Sequence, residues 1–481
     1  MYTEKNDTIC AIATGLGKSA IGKIRVSGPQ AIEICNGIFI GKKRISEMET
    51  FTAAFGRIVD DGKQYDEVIA LVMKAPHTYT TEDTVELDLH GGPFVMKRVM
   101  ELLVNKGARV AEPGEFTKRA FLGGRIDMTE AEAVMDVINS ETDMALSASL
   151  NQLSGNLRNE ISDVREKIIY NTAYIESAID DPEHYDLDGY ADTLQDTINE
   201  ILERLEKLLA GFDEGRLIRE GINTAIVGRP NVGKSSILNT LLGEERAIVT
   251  DIEGTTRDTL EEYISLDGIV LKLIDTAGIR ETDDKVEQIG VDKARTSISS
   301  ADLVLLVLDG SDEITDDDFS LIKSIKDKKV IVLINKSDKE ESFDAEKIRT
   351  VIANEFADNT SSESSTEGTS AGSTQVPSII EFSAKTGGGK ELLKAKISEL
   401  FYEGHLDYNS EVCITNVRHK GLVVEAEESL RKVLQSIEDG VGEDFYTIDL
   451  MAAYEALGTV IGESLEDDLA DKIFKEFCMG K

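Results

Sequence analysis

The sequence predicts a multidomain α/β protein: an N-terminal α+β domain, a helical section split in two, and a mostly parallel sheet domain inserted between the halves. Three observations predict it. TVELDL (84–89) alternates apolar and acidic residues, the period of a half-buried strand. Residues from about 127 to 217, and again from about 403, carry apolar side chains at helical spacing. Between them TAIVG, VLKLID, LVLLVLD, KVIVLIN and IIEFSA are short β-branched runs separated by helical stretches, as in a parallel sheet covered on both faces. The expected domains are 1–120, 121–217, 218–402 and 403–481.

Taken in order, Val85, Leu87 and Leu89 face one way and Glu86 and Asp88 the other, and HGGP (90–93) then turns the chain. Thr129 and Glu132 have the spacing of a capping box, followed by Ala131, Val134, Met135 and Ile138 on one helical face. Leu194, Ile198, Ile201, Leu205 and Leu208 form a long apolar stripe in a bundle-like section. Residues 357–378 are rich in Ser, Thr and Gly and read as a disordered loop.

Composition narrows the class. The 481 residues allow two to four domains. A net charge of −39 repels nucleic acid and anionic membrane, so any RNA contact needs a local basic patch or a basic partner. Cys10, Cys35, Cys413 and Cys478 are far apart, which argues against a disulfide framework or zinc ribbon and suits a reducing cytosol. No targeting leader and no apolar run of membrane-spanning length is expected, and the CMGK ending does not fit a prenylation signal.

GRPNVGKS (228–235) is G-x-x-x-x-G-K-S after one predicted strand and before a helix. Gly228 and Gly233 let backbone N–H groups curl around phosphates. Lys234 brings positive charge to the outer phosphates, and Ser235 a hydroxyl to Mg²⁺. In DTAG, Asp275 can hold Mg²⁺ through water and Gly278 can present its N–H to the γ-phosphate. In NKSD, Asp338 can accept from the guanine ring N–H and amino group, which adenine cannot satisfy, and SAK (383–385) closes the base pocket. Thr256, in TDIEGTTRD, is the second Mg²⁺ hydroxyl. These elements, in this order, predict a Ras-like P-loop GTPase domain. GTP contacts are expected from Asn231, Val232, Gly233, Lys234, Ser235 and Ser236; from Thr250, Asp251, Ile252, Glu253, Gly254, Thr255 and Thr256; from Asp275, Thr276, Ala277 and Gly278; and from Asn335, Lys336, Asp338, Ser383, Ala384 and Lys385. Ile279 stands where Ras-like GTPases use Gln to orient water. Two substitutes are open: a monovalent cation held by Asn231, or a carboxylate from the acidic run RETDDKVEQIG.

Several segments together, DTICAIAT, IGKIRVSGP, VELDLHGGP, PGEFTKRAFLGGRIDMTEAEAVMDVI, LIREGINTAIVGRPNVGKSS, DTAGIRETDDKVEQIGV and the terminal FCMGK, resemble the MnmE (TrmE) family of tRNA-modification GTPases, within the TrmE-Era-EngA-YihA-Septin-like group. The resemblance runs nearly end to end, outside 357–378. It implies K⁺ on Asn231, Thr250, Ile252 and Thr255, Mg²⁺ on Ser235 and Thr256, and Glu287 as the acid that orients water, with Lys234 also in the catalytic set. It implies an N-terminal folate-binding domain in which Arg25, Glu86, Arg125 and Lys481 contact 5-formyl- or 5,10-methylene-tetrahydrofolate. Without the resemblance, Glu86 reads as a solvated strand residue and Arg25 as a surface charge. The tail is expected to dock beside the folate, with Cys478 either a positioned thiol active in one-carbon handling or a buried structural cysteine. Lys18 and Lys23 load a loop that is Gly-rich and apolar in the family. The resemblance further implies a cytoplasmic homodimer that works with the FAD-containing MnmG as a heterotetramer, reaching tRNA mainly through that complex, with no membrane. The product would be a carboxymethylaminomethyl-type group at C5 of wobble uridine. Two other classes stay open on the residues alone: a ribosome-assembly GTPase, and a GTP-dependent scaffold without chemistry.

Overall fold

The structure, a computed structural model, describes residues 7–185, 187–242, 262–266, 268–274, 298–339, 345–357, 377–401, 412, 414–463, 473–474, 477 and 480. The chain forms two compact units, one of residues 1–138, 152–206 and 417–481, the other of 139–151 and 207–416.

The first unit opens with β1 (Ile9–Ile12), β2 (Ile21–Ser27), α1 (Ala31–Asn36), β3 (Phe39–Gly41), β4 (Thr52–Asp60), β5 (Lys63–Met73), β6 (Thr84–His90), α2 (Pro93–Asn105) and β7 (Arg109–Val110). The strands form one sheet in the order β3-β4-β5-β6-β2-β1-β7, antiparallel except for the β1–β7 pair. Ile24 and Val26 of β2 and Val85, Leu87 and Leu89 of β6 are buried in one core with Val99 and Leu103 of α2. The expected alternation of β6 is therefore present. Its register against β2 sets Arg25 opposite Glu86 and Lys23 opposite Asp88 on the other face.

Helices follow along the chain: α3 (Glu115–Leu122), α4 (Met128–Asn139), α5 (Asp143–Leu153), α6 (Asn156–Asp180) and α7 (Tyr190–Ala210), of which α5 as far as Asn151 and α7 from Lys207 belong to the second unit. The predicted capping box at Thr129 and Glu132 is corrected. The box lies two residues earlier, where the Glu130 N–H donates to Asp127 Oδ1 at 2.7 Å and the Asp127 N–H to Glu130 Oε2 at 2.7 Å. Thr129 and Glu132 are instead buried inside α4. The stripe from Leu194 to Leu208 is buried on α7.

The second unit holds α8 (Phe212–Glu220), β8 (Ile222–Val227), α9 (Lys234–Leu242), β9 (Glu262–Leu266), β10 (Ile269–Leu273), β11 (Leu303–Asp309), α10 (Asp316–Ser324), β12 (Lys329–Asn335), α11 (Ala345–Ala357), β13 (Ser378–Glu381) and α12 (Lys390–Phe401). Its sheet runs β13-β12-β11-β8-β10-β9, parallel except for antiparallel β9. All five apolar runs named from the sequence are strands here, and separate apolar clusters line the two faces. Of the stretch expected to be disordered, Ala357 ends α11 and Ser378 opens β13; residues 358–376 lie outside the described residues.

The first unit resumes with α13 (Val417–Glu438) and α14 (Tyr446–Ile461). Glu132 of α4 is 7% exposed and accepts from Arg418 Nε and Nη2, each at 3.1 Å, while Nε2 of the fully buried His419 lies 2.7 Å from its Oε2. These ion pairs join the helix before the sheet insertion to the helix after it. Among the described residues, no helix is long and apolar enough to cross a membrane.

Candidate nucleotide site and N-terminal carboxylate cluster

The loop between β8 and α9 carries the phosphate-binding sequence, and its backbone needs glycine twice. A Cβ on Gly228 would stand 2.4 Å from the Val307 carbonyl oxygen, and one on Gly233, at φ +98°, would stand 2.2 Å from Asn335 Nδ2. Asn231 sits at the exposed crest with φ 63°, a left-handed conformation that Asn tolerates. Lys234 folds back so that Nζ donates to the Gly228 and Arg229 carbonyls, both at 2.7 Å. Burial pushes its pKa down. An ammonium that is partly buried and, among the described residues, held by neutral carbonyls fits an incoming polyanion, which would supply the charge that burial removes. Ser235 and Ser236 are exposed at the start of α9, where a phosphate-bound Mg²⁺ would be met. Arg229 is directed elsewhere: its Nε lies 2.8 Å from the buried Asp318.

The base end is tied to this loop by Asn335 at the close of β12. Its Nδ2 donates to the Val232 carbonyl at 2.8 Å, and its Oδ1 accepts from the Ala384 N–H at 3.1 Å. Ser383 donates its hydroxyl to Asp338 Oδ1 at 2.8 Å, and this bond, the largest contribution, holds the Asp338 carboxyl below its ordinary value. Asp338 therefore stays an anionic acceptor at neutral pH, as paired N–H donors on a base edge require. Lys336, with φ 67°, donates to the Asn231 carbonyl at 3.2 Å and to Asp309. The structure thus brings together Asn231, Val232, Gly233, Lys234, Asn335, Lys336, Asp338, Ser383 and Ala384. Thr250, Asp251, Ile252, Glu253, Gly254, Thr255, Thr256, Asp275, Thr276, Ala277, Gly278 and Glu287 lie outside the described residues.

In the first unit, Glu86 is 7% exposed rather than solvated. Its carboxylate accepts from Arg25 Nε at 2.9 Å and Lys23 Nζ at 2.5 Å. Burial alone would raise its pKa, but the two cations outweigh it and hold the carboxyl below its usual range. The Arg25 guanidinium lies 5.4 Å from the Tyr79 ring centre, and that of Arg125 lies 4.6 Å from the same ring. Arg25 Nη1 also approaches the Gly480 carbonyl at 3.4 Å. The reading of Arg25 as a plain surface charge is therefore replaced by a half-buried cation beside the tail. Phe474 and Phe477 are buried against α3 and α4, and Gly480, at φ +92°, is pressed so close to β1 that a Cβ would stand 2.5 Å from the Ile12 carbonyl. Cys478 and Lys481 lie outside the described residues. The sequence reading missed Lys23 as a partner of Glu86. Its signal was the pair K-x-R in β2 facing E-x-D in β6, legible only once the register is known.

Fold, phosphate loop and base loop together define a P-loop nucleotide-binding protein with guanine-type selectivity. Family comparison carries this further. Residues 8–125 match the model of the GTP-binding protein TrmE N-terminus, and residues 128–478 that of the MnmE helical domain. A tRNA modification GTPase MnmE of Lachnoclostridium phytofermentans is 50% identical over 99% of this chain and 100% of its own. That of Ligilactobacillus salivarius is 44% identical over 100% of this chain and 99% of its own, and that of Staphylococcus epidermidis 43% over 99% of both. The chain belongs to the MnmE family of tRNA modification GTPases.

Proposed function

We propose that this chain is a K⁺-dependent GTP hydrolase which, with the flavoprotein MnmG, installs a carboxymethylaminomethyl-type group at C5 of wobble uridine in certain tRNAs, using a tetrahydrofolate one-carbon unit. Residues 1–120 form the folate-binding and dimerisation domain, 121–217 and 403–481 the helical domain, and 218–402 the GTPase domain. The active assembly is a cytoplasmic homodimer joined to MnmG, and tRNA is reached mainly through that complex, as the −39 net charge favours.

At the nucleotide, Lys234 binds the outer phosphates and Asp338 accepts from the guanine edge. Asn335 fixes the phosphate loop and base loop at one separation. Ser235 and Thr256 would hold Mg²⁺, and Asn231, Thr250, Ile252 and Thr255 would hold K⁺; both supply positive charge against the phosphates. Glu287 orients the attacking water, the task Ile279 cannot perform.

The observation that carries the folate half is the buried Glu86 between Lys23 and Arg25, with the tail's Gly480 carbonyl on the same arginine. An anionic carboxylate suits the donor edge of a pterin. The cations Arg25 and Arg125 beside Tyr79 suit the glutamate tail and the stacked ring. On this reading Cys478 takes part in the chemistry of the bound one-carbon unit, and Lys481 contributes a folate contact.

The test is mass spectrometry of tRNA nucleosides from a strain lacking this gene, rescued with wild type or with Cys478→Ser. The C5-substituted wobble uridine is expected to vanish on deletion, return with wild type and stay absent with the serine variant. Full rescue by Cys478→Ser removes the thiol from the chemistry. Unchanged nucleosides on deletion overturn the tRNA assignment and direct attention to ribosome assembly.

A further inference from the structure

One carboxylate beside the nucleotide loop, the Asp309 partner of Lys336, has no role in the proposed function. Asp309 closes β11, and its Oδ1 accepts from the Ser311 N–H at 2.9 Å and the Ser311 hydroxyl at 2.7 Å. These bonds lock the turn and leave Oδ2 for Lys336, whose Nζ donates to it and, at 3.2 Å, to the Asn231 carbonyl. The next residue, Gly310, donates its N–H to the Asn335 carbonyl at 2.8 Å, and a Cβ there would stand 2.8 Å from the same oxygen. The end of β11 is therefore keyed to the base loop in one position. Asp309 is anchored at two points, and it fixes where the Lys336 ammonium stands.

The consequence falls on Asn231. Its backbone is left-handed at φ 63°, and Lys336 donates to its carbonyl, so the backbone from which its side chain departs is held at two points. We propose that Asp309 is a positioning residue for GTP hydrolysis: through Lys336 it holds the crest of the phosphate loop so that Asn231 presents its amide oxygen to the monovalent cation. This rests on the K⁺-dependent reading above. Loss of the Asp309 charge frees the Lys336 ammonium to follow solvent, and the crest then samples other directions. The cation site weakens, while the phosphate contacts of Lys234 and the Ser235 hydroxyl stay.

The test is GTP turnover of the full-length chain titrated with KCl at constant ionic strength made up with NaCl, for wild type, Asp309→Asn and Asp309→Glu. Asp309→Asn is expected to raise the half-activating K⁺ concentration roughly fivefold to tenfold, the order of one ordinary hydrogen bond, since the lost charge acts on the cation only through Lys336. Turnover at saturating K⁺ should stay within about twofold, and Asp309→Glu should restore most of the K⁺ response. An unchanged half-activation in Asp309→Asn overturns the proposal. So does a uniform loss of rate at every K⁺ concentration, or a melting temperature lowered by roughly 10 °C, either of which makes Asp309 merely structural. No preference of wild type for K⁺ over Na⁺ is a different result: it defeats the K⁺ reading itself, and the role of Asp309 falls with it.

Discussion

Replacing Glu132 by Gln tests the charge arrangement that ties α4 to α13. The carboxylate is buried, Arg418 donates to both of its oxygens, and the buried His419 lies against one of them. Burial alone would raise its pKa, but His419 and Arg418 win and bring it from 4.5 to about 2. At about 1.4 kcal/mol per pH unit that difference is worth about 3 kcal/mol, within the range of about 3–5 kcal/mol for breaking a buried ion pair. The folded-state value is the depressed one. The contribution is therefore complete above pH 4.5 and is lost as pH falls toward 2. Urea unfolding followed by far-UV circular dichroism should show E132Q less stable than wild type by about 3 kcal/mol at pH 7. The gap should narrow between pH 4.5 and 2, because carboxylates common to both chains cancel in the difference. A gap below about 1 kcal/mol at neutral pH, or one that does not change with pH, would refute the reasoning.

Other outcomes follow from the same geometry. Lys234→Ala removes the ammonium now parked on the Gly228 and Arg229 carbonyls, and GTP affinity by equilibrium dialysis should fall roughly fiftyfold, the order of one charge-assisted phosphate bond. Asp338→Asn exchanges an acceptor for a donor. GTP affinity should drop about a hundredfold while xanthosine triphosphate gains, and equal loss for both nucleotides would contradict the assigned role. Gly480→Ala forces a Cβ toward the Ile12 carbonyl at a backbone angle of +92°. The tail should then release, seen as faster amide exchange at Phe474 and Phe477, with unchanged exchange counting against the docking.

The parallel sheet of the second unit was readable because strands buried on both faces are nearly continuous β-branched runs, as Leu303–Asp309 and Lys329–Asn335 are. Strand β9, EYISL, escaped notice: it is an antiparallel edge strand with polar residues among its apolar ones, and nothing local sets it apart from loop. The capping box failed by two residues because D-x-x-E at 127–130 and T-x-x-E at 129–132 satisfy the same pattern. What separates them is that Glu132 is taken by Arg418 and His419, some 286 residues later, which no local rule contains. Glu86 shows the same limit at the candidate site. Alternation tells which face a side chain takes but not what covers that face, and here β2 and the distant tail do. The phosphate loop was legible for the opposite reason: its glycines, lysine and serine answer to one short stretch of backbone, and Asn335 needs only the end of a neighbouring strand.

The central claim is that a folate carbon unit and GTP hydrolysis meet on this chain in the service of tRNA. Its most direct test incubates the purified chain, the proposed flavoprotein partner MnmG and unmodified tRNA with tetrahydrofolate labelled in the one-carbon unit, with and without GTP, and follows label into the wobble uridine. The account predicts label at C5 of that uridine only when GTP is hydrolysed, and none with Glu86→Gln. Label that appears without GTP, or tRNA that stays unlabelled while GTP is consumed, would contradict it.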